Sequence, residues 1–473
     1  MEYLKLIEDS RDEMAEMLRQ LIAIRSVADS PQEDMPFGKG VHDAFFYMLD
    51  RGKRDGFEIE NIDNYGGHLE FGEGQRVVGV LGHLDVVPEG NDWDVAPYGA
   101  PLTDGKIYGR GAQDNKGPVV ASYFAMKALK DSGYEPEVKI RLILGLDEET
   151  NWVGMNKYLQ KVNPPSVGFA PDADFPVIHG EKGILIFDLA KKIKRVPEKG
   201  LLLRSFKGGS APNMVADFAR VIVRDDASGA YEKIKDEAAS YRYEKKRGIY
   251  VKGMGKSLEI TARGVSSHGA KPENGVNAIS VMMDFLSRFS FSNDEVNEFI
   301  SFYNEHIGFD LDGSGLGCNL SDEISGSLIL NVGMIDMTNE AVSLKINVRY
   351  PVTLSDASVY DSLAPVIGKY DLGLVKGRHQ PPIYFPKGSP LVKTLMNVYR
   401  NHTGDTESDA IIIGGGTYAR AASNLVAFGA NYPGEEEMAH KKNEYVEIDR
   451  LVLTAKIFAD AIYELSVLPQ NDL

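Results

Sequence analysis

Several segments of this chain place ionisable side chains directly behind apolar runs, and the residue types suit the binding of divalent cations. The run VVGVLG (77–82) is followed by His83, with Asp85 two positions on. On an extended chain those two side chains share a face, so Asp85 can hold a ligating imidazole in one tautomer. Asp114 stands in YGRGAQDNKGP, where glycines and a helix start leave its carboxylate accessible. Taken alone it reads equally as the cap of that helix. The run VKIRLILGL (138–146) leads straight into Asp147, Glu148 and Glu149, adjacent acids that repel one another unless a cation neutralises them. One glutamate can ligate metal while its neighbour stays free as a general base. The same trio also reads as a solvated acidic turn. SVGFAP (166–171) precedes Asp172 and Asp174, and LVAFGA (425–430) precedes His440, which by itself reads as a surface histidine.

Counted together, His83, Asp114, Glu149, Asp172 and His440 serve two metal ions with little left over. Two four-coordinate ions need eight positions; a bridging Asp114 fills two and a bridging water two, leaving one histidine and one carboxylate for each ion. Nitrogen and oxygen donors without sulfur suit zinc, with manganese or cobalt also compatible.

Such residues need a sheet to gather them. Val-rich runs ending in glycine or acids read as buried parallel strands. Gly117–Ser132 reads as a helix ended by Gly133, and the N-terminal segment as one amphipathic helix through Leu4, Ile7, Met14, Leu18, Leu21 and Ile22. Strands alternating with helices predict an α/β domain with helices on both faces and ligands at the carboxyl ends of its strands. From about Phe187 the pattern changes. The segments 257–265, 275–289, 325–335, 341–350, 355–370 and 371–377 read in the order βαββαβ, and Leu189–Lys256 carries weaker signals. From Pro386 the α/β character returns. The expected architecture is one α/β domain (1–186 and 386–473) interrupted by an inserted α+β domain (187–385).

Composition narrows the function classes. The 473 residues carry 52 Lys and Arg against 69 Asp and Glu, a net charge of −17 that excludes a general nucleic-acid binder. With 43% hydrophobic and 26% charged residues, the chain reads as globular, in two or three domains of about 150 residues each. Cys318 is the single cysteine, which excludes an internal disulfide and points to a reducing compartment. No basic start with an apolar block is visible, nor any uncharged apolar stretch long enough for a spanning helix. A cytoplasmic protein with no membrane partner is expected.

The motifs GHLDVVP, GRGAQDNKGP, LGLDEET and FAPDADFP, with the late His440, resemble the M20 family of metallopeptidases along essentially the whole chain. HGEKG (179–183), IGGGTYAR (413–420) and VAFGA with AHKKNEY are similar to the PepV-type dipeptidases of Gram-positive bacteria. The resemblance implies that His83 and Asp172 hold one ion, Glu149 and His440 the other, and that Asp114 bridges. It further makes Asp85 the support of His83 and Glu148 the general base. At Asn115 the family usually has a second Asp. The inserted domain becomes a lid, with His268 stabilising the oxyanion, and Asn213, Arg349 and the backbone of Gly414, Gly415 and Gly416 binding the substrate carboxylate. Read from the residues alone, His268 lies in a Ser/Gly-rich turn and Arg349 could form a structural ion pair. The triple glycine lacks the spacing of a nucleotide loop. Cys318 and the remaining histidines His42, His68, His179, His306, His379 and His402 read as structural.

The expected activity is hydrolysis of dipeptides with a free amine and a free carboxylate, through a water bridging two divalent ions and activated by Glu148, in a monomer. Metal ligands alone do not separate this from an N-acyl amino acid deacylase such as a succinyl-diaminopimelate desuccinylase. Outside enzymes, an inactive metal- or peptide-binding scaffold is the rival, and a free base speaks against it because binding needs none.

Overall fold

The structure, a computed structural model, describes residues 1–195, 197–226 and 229–469. The chain divides into two units, Met1–Gly180 with Phe385–Ile412 and Gly416–Leu473, and Glu181–Tyr384 with Ile413–Gly415. The strand Gly183–Lys192 runs unbroken through position 186, where the sequence reading divided the chain.

The first unit is built on a mixed sheet whose strands include, in chain order, β1 (Glu58–Asn61), β2 (Gly67–Phe71), β3 (Val77–His83), β4 (Lys139–Gly145), β5 (Val167–Ala170) and β6 (Leu425–Ala427). Their spatial order is β1-β2-β4-β3-β5-β6. β4, β3, β5 and β6 are parallel, while β2 is antiparallel to β4 and β1 to β2. Every residue of β3 is buried, as a strand covered on both faces requires. Gly79 of β3 lies in register with Gly168 of β5. A Cβ on Gly168 would meet the Gly79 carbonyl oxygen at 1.9 Å, so glycine is required there.

The helices Lys116–Asp131 and Ile448–Val467 contribute most of their length to the core of this unit. The expected single N-terminal helix is two, Glu2–Asp9 and Arg11–Ala23. The chain breaks at Ser10, whose hydroxyl donates to the Leu6 carbonyl at 2.8 Å and so competes with the helical ladder.

The second unit is an eight-stranded sheet, ordered 248–254, 257–263, 218–225, 201–208, 329–338, 341–350, 183–192, 373–380. All neighbouring pairs are antiparallel. Burial alternates along its long strands, and the helices Ala230–Lys245, Ala278–Leu286, Asp294–His306 and Asp356–Lys369 share its core. The βαββαβ order read from 257 onward holds, with one added helix, Asp294–His306. Asn293 caps the start of that helix, its side chain accepting the N–H groups of Glu295 and Val296. Cys318 is buried.

Candidate metal centre

Three parallel strands of the first unit end at one edge of the sheet and deliver acids and an imidazole to the same place. β3 ends in His83, which is 1% exposed. Its Nδ1 lies 2.9 Å from the Asp85 carbonyl oxygen and 3.3 Å from Asp85 Oδ1, which turns Nε2 outward. Nε2 stands 3.0 Å from Asp114 Oδ1 and 3.5 Å from Asp172 Oδ1. Asp85 does a second job that the His-x-Asp spacing does not reveal. Its carboxylate oxygens accept the N–H groups of Glu148 at 3.1 Å and Glu149 at 3.0 Å, so one buried acid orients the imidazole and pins the turn after β4.

Of the three acids in that turn, only two face the centre. Asp147 is fully buried, accepting the Gly154 N–H at 2.9 Å and the Tyr418 hydroxyl at 3.3 Å. Glu149 Oε1 and Asp114 Oδ2 each stand 3.0 Å from His440 Nε2. Ligand atoms of His83, Asp114 and Glu149 lie within 4.8 Å of one another, as do those of His83, Glu148 and Asp172. Distance alone therefore admits either glutamate as a ligand. Their commitments differ, since the Glu148 carboxylate has no hydrogen-bond partner among the described residues while Glu149 meets His440.

Charge crowding marks the place. Burial, reinforced by Asp172, raises Glu148 well above the usual carboxylate range. Burial and the neighbouring Asp114 push Glu149 up to about 7. Burial also pushes Asp172 up to about 6, against the pull of His83. Burial alone would raise Asp114, but hydrogen bonds from His440 and His83 hold it well below its ordinary value. For His440 burial works downward, yet Asp114 and Glu149 outweigh it and push the imidazole up to about 11. Half-buried carboxylates that cannot all ionise, set among imidazoles and lacking sulfur, form a donor set that fits two divalent cations.

The structure brings His83, Asp85, Asp114, Glu148, Glu149, Asp172 and His440 together in the first unit. Asp174 turns aside to accept from Asn431 at 2.9 Å. Asn115 is 1% exposed; its amide donates to the Pro171 carbonyl at 2.6 Å and to Asp172 Oδ1 at 3.1 Å, and its oxygen accepts the His83 N–H at 3.2 Å. A carboxylate there could not donate to Pro171, so Asn115 ties the ends of β3 and β5 in a way an ionised Asp would not. The peptide bond Asp114–Asn115 is cis. Sequence reasoning missed Gln113, Glu444 and Tyr418. Glu444 carried no signal, because a charged residue in a hydrophilic run reads as solvated, yet it is fully buried.

The remaining expected site residues belong to the second unit, apart from Gly416 in the first. His268 is exposed, its Nδ1 accepting the Ala270 N–H at 3.2 Å. Met214 pairs with His268 through the backbone and the Asn213 carbonyl accepts the Gly269 N–H at 2.7 Å, which sets Asn213 beside His268. Arg349 is buried, donating from Nε to Asn347 at 2.9 Å and from Nη1 to the Gly414 carbonyl at 3.0 Å. Both of these acceptors are neutral.

Residues 79–464 match the profile of peptidase family M20/M25/M40. A protein of Staphylococcus epidermidis named "Putative dipeptidase" is 36% identical over 463 residues, 96% of this chain and 97% of that one. A Staphylococcus aureus protein with the same designation is 37% identical over 469 residues, 98% of both chains. Among solved structures, human carnosine dipeptidase 1 superposes with a TM-score of 0.58 at 18% identity, covering 98% of each chain.

Proposed function

The chain belongs to peptidase family M20/M25/M40, and on this ground we propose that it is a dinuclear metal-dependent dipeptidase. Its substrates are dipeptides with a free amine and a free carboxylate. One observation carries the reading: next to Glu149, which meets His440, stands Glu148, a half-buried carboxylate with a raised proton affinity and no hydrogen-bond partner among the described residues. A binding scaffold needs no such free base, whereas hydrolysis does.

In this assignment His83 and Asp172 hold one ion, Glu149 and His440 the other, and Asp114 is shared. Divalent cations held there, zinc or in its place manganese or cobalt, acidify water and polarise the scissile carbonyl. Glu148 takes a proton from the attacking water and passes it to the leaving amine. Asp85 keeps the His83 imidazole in the tautomer whose Nε2 faces the donors. To the second unit we assign the contacts with substrate, with His268 meeting the developing oxyanion and Arg349, Asn213 and Gly414–Gly416 the terminal carboxylate. A buried guanidinium already bonded to the glycine loop supports that last assignment, since its fork of donors suits a carboxylate. We assign the enzyme to the cytoplasm as a monomer, consistent with the free thiol of Cys318. Among the described residues no helix is long and apolar enough to cross a membrane.

A panel of dipeptides, dipeptide amides, tetrapeptides and N-acetyl and N-succinyl amino acids, with metal content measured on the same preparation, tests the reading. Free dipeptides are expected to have the highest kcat/KM, and Arg349→Ala to depress kcat/KM for them far more than for the amides. Turnover of amides and tetrapeptides equal to that of dipeptides, or preference for N-succinyl amino acids, refutes it.

A further inference from the structure

Asp114 Oδ2 and His440 Nε2 meet at 3.0 Å, although each belongs to a loop rather than to a helix or strand. His83, by contrast, is held by β3, whose pairing with β4 runs in register from Val77 to His83. His440 also sits at φ 63° and Asn443 at φ 57°, left-handed conformations that non-glycine residues keep only where the surroundings impose them. Something other than secondary structure must bring these loops into line.

We propose that Gln113 and the buried Arg110–Glu444 pair are positioning residues that clamp the His440 turn to the Asp114 loop, and that they thereby set the affinity of one metal position without touching the ion. The inference rests on the dinuclear reading above and adds to it what makes the two positions unequal.

Glu444 is fully buried and each of its oxygens takes two donors. Oε1 accepts the N–H groups of Gln113 at 2.8 Å and Asp114 at 3.0 Å; Oε2 accepts Arg110 Nη1 at 2.7 Å and the Gly111 N–H at 3.2 Å. With about four lone-pair sites on a carboxylate, nothing is left for ligation, and the loop running up to Asp114 is wrapped on this one side chain. Arg110 is 2% exposed, lies 5.3 Å from the Trp93 ring centroid, and directs Nη2 at the carbonyl oxygens of Glu89 (3.3 Å) and His440 (3.4 Å). Gln113 Oε1 accepts the N–H groups of Met438 at 2.7 Å and Ala439 at 2.9 Å, the residues just before His440. The turn is thus gripped before His440 by Gln113, at its carbonyl by Arg110, and after it by Glu444. Asp114 is fixed by the same carboxylate, so the clamp determines the spacing between these two donors and leaves His83 and Asp172 to the sheet and Asn115.

The test is Mn²⁺ titration of the chelator-stripped full-length protein, read by calorimetry, with the position lost in His440→Ala serving as the marker. Gln113→Met removes the acceptor at similar volume, and Gln113→Glu restores an oxygen. Gln113→Met is expected to weaken the marked position by about 10- to 100-fold, the usual cost of losing a residue that orients a ligand. The other position should move by less than about threefold, and Gln113→Glu should recover most of the loss, with the melting temperature of the stripped protein unchanged. Glu444→Gln replaces one acceptor oxygen with an NH₂ group facing N–H donors and should weaken the same position further; if that variant does not fold, the Gln113 pair decides. Equal weakening at both positions with a lowered Tm, or no weakening at all, overturns the clamp. A wild-type protein that binds fewer than two ions overturns the dinuclear reading itself, and the clamp with it.

Discussion

Glu148 and Glu149 follow one another in the chain and are assigned different roles in the proposed chemistry. Both N–H groups are fixed by Asp85, which fans the two side chains apart so that one meets His440 and the other does not. Glu148→Gln keeps size and every assigned ligand while removing the proton carrier. Its kcat should fall by about 10² to 10⁴ fold, the usual contribution of a general base, with metal content unchanged. A kcat within about threefold of wild type would mean that the wrong carboxylate has been chosen as base. Asp114, within 3.0 Å of both His83 and His440, is expected to serve both ions. Metal analysis of Asp114→Ala should show depletion at both positions, and loss from one alone would rule out bridging.

At the scale of strands and helices, the parallel run β4-β3-β5 converts separate sequence segments into one edge. β2 flanks it and carries a buried histidine unrelated to the site. His68 Nδ1 lies 2.8 Å from the Tyr158 hydroxyl, and burial, with Arg141 nearby, pulls the imidazole down to about 4. The folded value is below the ordinary 6.5, so the folded state resists protonation. The resulting stability is present in full above about 6.5 and is lost as pH falls toward about 4. Between pH 7 and 5 the loss is about 2 kcal/mol. Urea unfolding of wild type and His68→Gln at those pH values should show the variant less sensitive to acid; identical pH dependence would show that His68 is not the group responsible.

Across the whole molecule, two units each carry a core of their own, and the second is built on one eight-stranded sheet. In its sheet, strand 201–208 pairs with strand 329–338 near the centre, from Ser205 against Thr338 to Gly208 against Ile335. On either side of that seam a helix, Ala230–Lys245 or Asp356–Lys369, follows a strand and returns to the same sheet. One chain builds both halves of this sheet, and we propose a functional monomer. Light scattering should give the mass of a single chain at concentrations where activity is full. An obligate dimer, active only when associated, would refute this.

The residues behind the strands were legible because a buried strand announces itself locally: VVGVLG before His83, VKIRLILGL before the acids and SVGFAP before Asp172 are runs a few residues long. The alternation of the second half of the inserted region, from 257 onward, was legible for the same reason. Less was visible where local signals were weak or misleading, as in the strands 201–208 and 218–225 or the break at Ser10. Asp147 is indistinguishable in sequence from the two glutamates beside it, and only the fold turns it toward Gly154 and Tyr418. Glu444 lies in a polar run with no mark of burial, and its four donors come from residues 110–114. Sequence by itself determined which side chains end the strands, since side-chain periodicity and apolar runs depend on near neighbours. Tertiary structure decided which of those acids face one another and which loops are clamped, because contacts between distant segments are set by packing of the whole core.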